Sequence, residues 1–428
     1  MKDPLRPGTS ILRVKLRAAV GLVLASSVVL IVATTAHAQR QYTVLHNFAG
    51  EPDGAIPSAG LTIDVRGNIY GTTGHGGAVG YGEVFMLKRS GSDFVFSPLY
   101  SFTGGSDGAG PYARVVFGPD GALYGSTVAG GQGGCNYGGW SGCGTVFSLR
   151  PSASACKTAL CPWTETVLYR FAGSPDGAAP QGDLTFGGTI YGSTLYGGLG
   201  LGTIYQLTRS GGGWTEGILY QVPGGNIGGY PYDGVISDAS GNLYGVFAAY
   251  GPTGGGAVYQ LRPSGSGWSE DTVYGFLNEP NDGNVPEGGL LIESGNLYGT
   301  TTNLGSAGGG TVYQLMPAGE GWAYSILYSL ANGPEGGSEN GPEAKLFTDI
   351  AGNLYGTTLR DGAYGYGSIF KLSPSSGGWM YTSLHDFRGG DDGAYPYGNV
   401  VFDANGNLYG TAAYGGLYGN GVVFEITP

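Results

Sequence analysis

Charge is scarce in this chain, and positive charge scarcer still. Only 12% of its 428 residues are Asp, Glu, Lys or Arg, with 19 Lys and Arg against 31 Asp and Glu, a net charge of −12. Nucleic-acid recognition needs a basic footprint, so nucleic-acid partners are excluded. Histidine is nearly missing, at four residues, which leaves little for metal ligation or general-base chemistry. A nucleophile elbow, in which G-x-S-x-G joins a strand to a helix, is not expected in a chain without helical periodicity, and with it goes the usual placement of a hydrolase serine. Beyond residue 35 no apolar run approaches the ~20 residues of a membrane-spanning helix. Helical periodicity is absent from residue 39 onward, so the folded part is expected to be all β.

Glycine is what the chain has in excess: 88 residues, about a fifth, against a usual share of ~7%. There is no three-residue glycine period, which excludes collagen. The 41% hydrophobic content with 31 tyrosines excludes a disordered chain, which cannot carry that much aromatic surface. The glycines therefore punctuate a folded β protein, supplying turns and bulges.

The start of the chain has the form of an export leader. Lys2, Arg6, Arg13, Lys15 and Arg17 are basic, Ala18 to Thr35 is uncharged and apolar, and Ala36-His37-Ala38 offers an A-x-A cleavage site. We expect a signal peptide over residues 1–38 and no membrane span after its removal. The same segment retained as an anchor is the alternative. Cleavage takes the balance to 14 Lys and Arg against 30 Asp and Glu, a net of −16. All four cysteines fall in one window, Cys135, Cys143, Cys156 and Cys161. In an exported chain such a cluster points to disulfides. Of the three possible pairings, closeness in sequence favours Cys135–Cys143 with Cys156–Cys161. A zinc site lacks both a C-x-x-C and a nearby histidine.

Internal repetition sets the architecture. A Gly-Asn-Leu-Tyr-Gly-Thr-Thr segment is clearest at residues 295–301 and 352–358, and its tyrosine recurs at Tyr70, Tyr124, Tyr191, Tyr244, Tyr298, Tyr355 and Tyr409. The intervals are 54, 67, 53, 54, 57 and 54 residues, the long one holding the cysteines. Each copy carries four short apolar runs, rich in β-branched and aromatic residues and bounded by Gly, Asp or Pro. Four antiparallel strands per repeat, seven times over, predict a seven-bladed β-propeller over residues 39–428. The ends complement each other. Val44–Phe48 reads as a fourth strand with no repeat before it, and the last repeat stops after its third strand, Val422–Ile426. The N-terminal strand is therefore expected to close the last blade, removing an exposed sheet edge.

The Gly-Asn-Leu-Tyr-Gly-Thr-Thr unit with its downstream Gly-Thr-Val-Phe or Tyr-x-Leu strand resembles the GloVer tandem repeat of exported bacterial proteins, over Gln41 to Pro428. The resemblance implies a secreted, periplasmic or cell-surface bacterial protein. It brings no defining activity, so no catalytic residue is carried over. Members often bear a C-terminal anchoring signal; this chain reaches Pro428 directly after a strand, so an anchor is not expected.

Positions that recur in every repeat build the blades. Trp163, Trp214, Trp268, Trp322 and Trp379, with Phe94 in the first repeat, hold one fixed place each and are expected to pack between sheets rather than stack on sugars. The Asp-Gly pairs at Asp53, Asp107, Asp176, Asp282 and Asp392 could be read as a carboxylate ring for Ca²⁺. Their recurrence in most repeats favours turn chemistry instead. The glycine-rich loops lead into strands, not helices, and so are not phosphate cradles. His46 and His385 replace a recurring tyrosine, and His75 alone stands outside the pattern.

Function is sought where the repeats differ. The position just before the first strand reads Gly60, Arg114, Asp183, Gly234, Gly289, Lys345 and Asn399, with Asp233 one place earlier in its repeat. If that strand is innermost, Arg114, Asp183, Asp233, Lys345 and Asn399 encircle the channel mouth, a default binding concavity. Tyr112, Tyr232 and Tyr397 precede first strands and join them. Further aromatics, among them Tyr81, Tyr137, Trp140, Tyr196 and Tyr414, lie in the glycine-rich loops. Aromatic rings beside carboxylates and amides suit carbohydrate. We expect a monomeric binding or scaffold propeller with a glycan or cell-surface ligand, no cofactor and no metal. A polysaccharide lyase or glycosidase using Asp183 and Asp233 is the enzymatic alternative. A purely structural surface protein is the third.

Overall fold

The computed structural model describes residues 40–152, 163–334 and 341–427. Among them every regular element is a β-strand, and none is a helix long and apolar enough to cross a membrane. The predicted leader and the Cys156–Cys161 pair lie outside the described residues.

Seven four-stranded antiparallel sheets form the blades of a β-propeller. In blade 1, Thr62–Ile63, Ile69–Thr73, Glu83–Ser90 and Asp93–Ser101 pair in sequence order. That order recurs through blade 7, where Val401–Phe402, Leu408–Ala412 and Val422–Thr427 are completed by Gln41–Asn47. The register runs from Gln41 opposite Thr427 to Asn47 opposite Val422. The two unmatched runs at the chain ends thus complete one blade, and the sheet edge each would have left is paired. First strands are shorter than their apolar runs, two residues in most blades.

The repeated residues have separate jobs. The aspartate of the D-x-x-G-N turn gathers the turn's own donors: Asp64 accepts from the Arg66 and Asn68 backbone N–H groups and the Asn68 amide. The signature tyrosine then reaches back to it, as Tyr70, Tyr244 and Tyr355 do to Asp64, Asp238 and Asp349 at 3.1, 3.1 and 2.9 Å. The first threonine of the signature joins neighbouring blades: Thr72 donates to the Ala113 carbonyl, and Thr411 to that of Ala59 across the ring closure. The second ties second strand to third, through Thr127–Thr145, Thr194–Thr203 and Thr301–Thr311 contacts of 2.9, 2.8 and 2.9 Å. A bulge interrupts every third-to-fourth strand pairing, for example between Val84 and Phe85 and between Val312 and Tyr313. Bulges raise local twist, as a blade requires.

Between blades the contacts are largely aromatic. Trp163, Trp268 and Trp322 meet the signature tyrosine of the preceding blade, Tyr70, Tyr191 and Tyr244, with ring centroids 6.1, 6.3 and 6.0 Å apart. Phe94 does the same with Tyr409 of blade 7 at 6.1 Å. The Asp-Gly carboxylates are consumed by the fold. Asp107, Asp176 and Asp282 accept from the fourth-strand hydroxyls of Tyr100, Tyr169 and Tyr274 and from nearby backbone N–H groups. His46 and His385 fill the same place, each 3.1 Å from its aspartate, Asp53 or Asp392.

Candidate functional site at the channel mouth

Each blade enters the channel through a Pro-x-x-x lead-in. In six blades the residue before the proline takes the left-handed region, and in five of these it is not a glycine: Ile56, Ala179, Tyr230, Val285 and Tyr395 have φ between 54° and 59°. This costs of order 1 kcal/mol per residue and recurs around the ring, so it belongs to the blade design. The apolar residue four places after the proline is buried, Leu61 and Val115 fully and Leu346 to 1% exposure. The side chains between these two anchors are left facing the channel.

They enclose a cavity of about 340 Å³, within the range of small-ligand sites. All eight residues singled out from the sequence line it: Arg114, Asp183, Asp233, Lys345, Asn399, Tyr112, Tyr232 and Tyr397. They form two tiers. The residue following the proline makes one, Ser58, Tyr112, Gln181, Tyr232, Glu287, Glu343 and Tyr397, and every blade contributes. The residue three places after the proline makes the other, with Asp233 standing in for Gly234. Gln181, Glu287 and Glu343 were missed in the sequence because that position was noticed only where it carries tyrosine. Its fixed offset from proline was the available signal.

The inner tier is a chain of contacts running from blade to blade. Arg114 grips Asp183 through Nε and Nη2, both 2.9 Å from Oδ2, while its backbone N–H donates to Oδ1 at 3.1 Å. The Asp183 N–H donates in turn to Asp233 Oδ1 at 3.2 Å, which also accepts from the Gly234 N–H at 2.6 Å. Side chains lean onto the next blade where it has glycine. A β-carbon on Gly289 would lie 1.8 Å from Asp233 Oδ2, and one on Gly60 1.7 Å from Asn399 Oδ1. The two glycines of this tier are therefore part of the site's shape. Asn399 is 9% exposed and lines the cavity. Burial, and after it the neighbouring Asp183, pushes the Asp233 carboxyl up from its ordinary value; the Lys345 charge works the other way. Burial pulls the Lys345 ammonium down, against the attraction of Asp233 and Asp183.

The outer tier adds rings. The Tyr112 hydroxyl lies 2.8 Å from His75 Nε2, and burial lowers the His75 pKa. Tyr137 donates to Gln181 Oε1 at 2.9 Å. Burial lifts the Tyr397 phenol to about 12, so these hydroxyls serve as neutral donors. The loop aromatics divide into two groups. Tyr137 and Tyr414 line the cavity, whereas Tyr81, Trp140 and Tyr366 lie flat over backbone glycines Gly104, Gly110 and Gly389 and are packing. No group of three or more potential metal ligands occurs among the described residues. In the cysteine-bearing loop, Cys135 and Cys143 form a disulfide, just beyond the hairpin that carries Tyr137.

Solved structures match the chain at low identity. The extracellular domain of a chain assigned as a hybrid two component system from B. thetaiotaomicron superposes with a TM-score of 0.53 at 11% identity, covering 90% of this chain and 39% of that one. This chain thus matches well under half of that protein's length. A chain assigned as a 6-phosphogluconolactonase from Bacteroides uniformis gives 0.45 at 12% identity, covering 77% and 84%. AofleA from Arthrobotrys oligospora gives 0.42 at 13%, covering 81% and 90%. A comparison with curated proteins finds no match. At the level of sequence the match is to the repeat itself: the Gloeobacter/Verrucomicrobia repeat matches residues 30–198 and 253–428, and the chain belongs to that repeat family.

Proposed function

We propose that the protein is an exported binding propeller whose ligand is a glycan held at the channel mouth. The observation that carries this is the meeting, in one cavity of about 340 Å³, of the polar residues that differ between blades at two lead-in positions. Structural positions repeat seven times, whereas the cavity tiers carry Arg, Asp, Lys, Asn, Gln, Glu and Tyr in different blades. Rings of Tyr112, Tyr232 and Tyr397 offer apolar faces, and the inner tier offers donors and acceptors for hydroxyl groups. The Cys135–Cys143 disulfide fits an oxidising, exported setting. A glycan array probed with the wild type and with the Arg114→Ala/Asp183→Asn/Lys345→Ala variant tests the site. Binding lost in the variant is expected, and undiminished binding would remove the channel mouth from consideration.

Glycoside hydrolysis is the alternative, favoured by one observation. Burial, and after it the neighbouring Asp183, pushes the Asp233 carboxyl up, and a raised carboxyl is what a general acid needs. Release of reducing ends from an array-positive glycan, abolished by Asp233→Asn, would support it; binding without turnover would end it.

A further inference from the structure

A line of tyrosines leads out of the cavity. The loop after each second strand turns back over the lead-in, and the residue that bridges to it differs between blades: His75, Ala129, Tyr196, Ala249, Asn303 and Tyr414 in six of them. This is a third variable position beside the two tiers of the cavity. His75 and Tyr414 face the cavity itself, whereas Tyr196 belongs to a series that leaves it. Tyr137 stands on the cavity wall and donates to Gln181 Oε1 at 2.9 Å. Its ring centroid is 6.5 Å from that of Tyr196, which is 5.8 Å from Tyr230, which is 6.1 Å from Tyr250. The four rings make one track over blades 2, 3 and 4.

The track keeps its surface open. Tyr196 is 43% exposed, and Tyr250 is also 43% exposed although it lies against Gly229. Exposed rings that continue a concavity mark an interaction surface. Tyr230 holds its place at a φ of 59°, a conformation that costs of order 1 kcal/mol and that blades 1, 3 and 5 fill with the aliphatic Ile56, Ala179 and Val285. Blade 7 also has an aromatic there, Tyr395, but the Arg360 guanidinium lies 5.3 Å from its centroid, so that ring face is taken. Along the track, burial raises the phenols of Tyr137 and Tyr230, and after burial it is neighbouring tyrosines that raise them further. The surface is one of rings and neutral hydroxyls.

Pyranose units match such a surface. The C–H groups on a sugar face are the positive partners that the negative face of an aromatic ring attracts, and phenol hydroxyls donate to sugar oxygens. Successive ring planes are inclined by 51°, 77° and 38°, which suits a chain whose units turn from one to the next. We propose that the protein binds a neutral polysaccharide as a chain, one sugar in the channel mouth and the following ones on Tyr137, Tyr196, Tyr230 and Tyr250. The proposal rests on the glycan-binding reading above and adds the length, charge and path of the ligand.

The test is calorimetric titration of the full mature chain with laminaribiose, laminarihexaose and, as a charged chain of equal length, the hexamer of galacturonic acid. Laminarihexaose should bind at least about tenfold tighter than the disaccharide, and tighter than the uronic hexamer. Tyr196→Ala/Tyr250→Ala should bring the hexamer down to the disaccharide's affinity and leave the disaccharide unchanged. Tyr196→Phe/Tyr250→Phe, which keeps the rings, should retain most of the gain. Tyr364→Ala/Tyr418→Ala removes tyrosines that are 51% and 58% exposed in blades 6 and 7, and should change nothing, separating the track from general adhesion to exposed rings. Equal affinity for disaccharide and hexamer, or a gain that survives Tyr196→Ala/Tyr250→Ala, would overturn the track; loss of that binding in the Arg114→Ala/Asp183→Asn/Lys345→Ala variant would leave the channel mouth standing. A uronic hexamer bound as tightly as laminarihexaose would overturn the neutral class. No binding of either laminari-oligomer by a protein that is positive on the array would overturn the proposal alone, and a blank array as well would remove both readings.

Discussion

Glu83 breaks the threonine ladder of the blades, and replacing it should make the protein more stable in a pH-dependent way. In blades 2, 3, 5 and 6 the start of the third strand is Thr145, Thr203, Thr311 or Ser368, bonded at 2.8–2.9 Å to the second threonine of the signature. In blade 1 Glu83 stands there, opposite Thr73. Its side chain is 0% exposed. Ser101 donates to Oε2 at 3.2 Å, while Oε1 and the Thr73 hydroxyl have no partner. Burial, with a smaller contribution from Asp53 and against the Ser101 bond, raises the carboxyl to about 8. The folded value lies above the unfolded one, so the fold favours the protonated form. That contribution is fully present below about pH 4.5 and is lost as pH rises through about 8. At ~1.36 kcal/mol per pH unit, holding Glu83 costs the folded state about 3 kcal/mol at pH 7 and about 5 kcal/mol by pH 8.5, where the cost levels off. Glu83→Thr removes the cost and restores the hydroxyl pair. Urea unfolding at a series of pH values should show the variant ahead by about 3 kcal/mol at pH 7, with the gap widening above and closing towards pH 5. Glu83→Gln should flatten the pH dependence without restoring the pair. A gap independent of pH, or a variant weaker than wild type at pH 8.5, would refute the reasoning.

Gly60→Ala places a β-carbon 1.7 Å from Asn399 Oδ1, so glycan affinity should fall about tenfold or more while the circular dichroism spectrum is retained; affinity unchanged would show that Asn399 does not position ligand. Cys135→Ser/Cys143→Ser opens a loop whose ends are 8 residues apart, with an expected loss of about 2–3 kcal/mol by urea unfolding. The same variant should weaken ligand binding, because the loop carries Tyr137.

The ring was readable because each blade repeats local chemistry. Asp64 with its turn, Tyr70 behind it and Thr72 across to the next blade form one unit that must recur wherever a blade does. The site was readable by the converse logic: Arg114, Asp183, Lys345 and Asn399 occupy one offset and differ. Glu287 and Glu343 escaped because the offset directly after the proline was weighed only through its tyrosines, and a glutamate before a strand resembles any solvated loop residue. Asp233 sits one place off register, yet its oxygen fills the space above Gly289 that a side chain would have taken. Glu83 was invisible for a different reason. Alternation within a strand marks it as a polar position, and only pairing with Thr73 reveals that the position is buried.

Hydrogen exchange of the mature chain with and without the strongest array-positive glycan tests the central claim most directly. Ligand at the channel mouth predicts slowed exchange in the lead-in segments 55–61, 109–115, 179–185 and 394–400, with the outer hairpins around residues 91 and 319 unaffected. Slowed exchange at the outer hairpins, with the lead-ins unchanged, would contradict it.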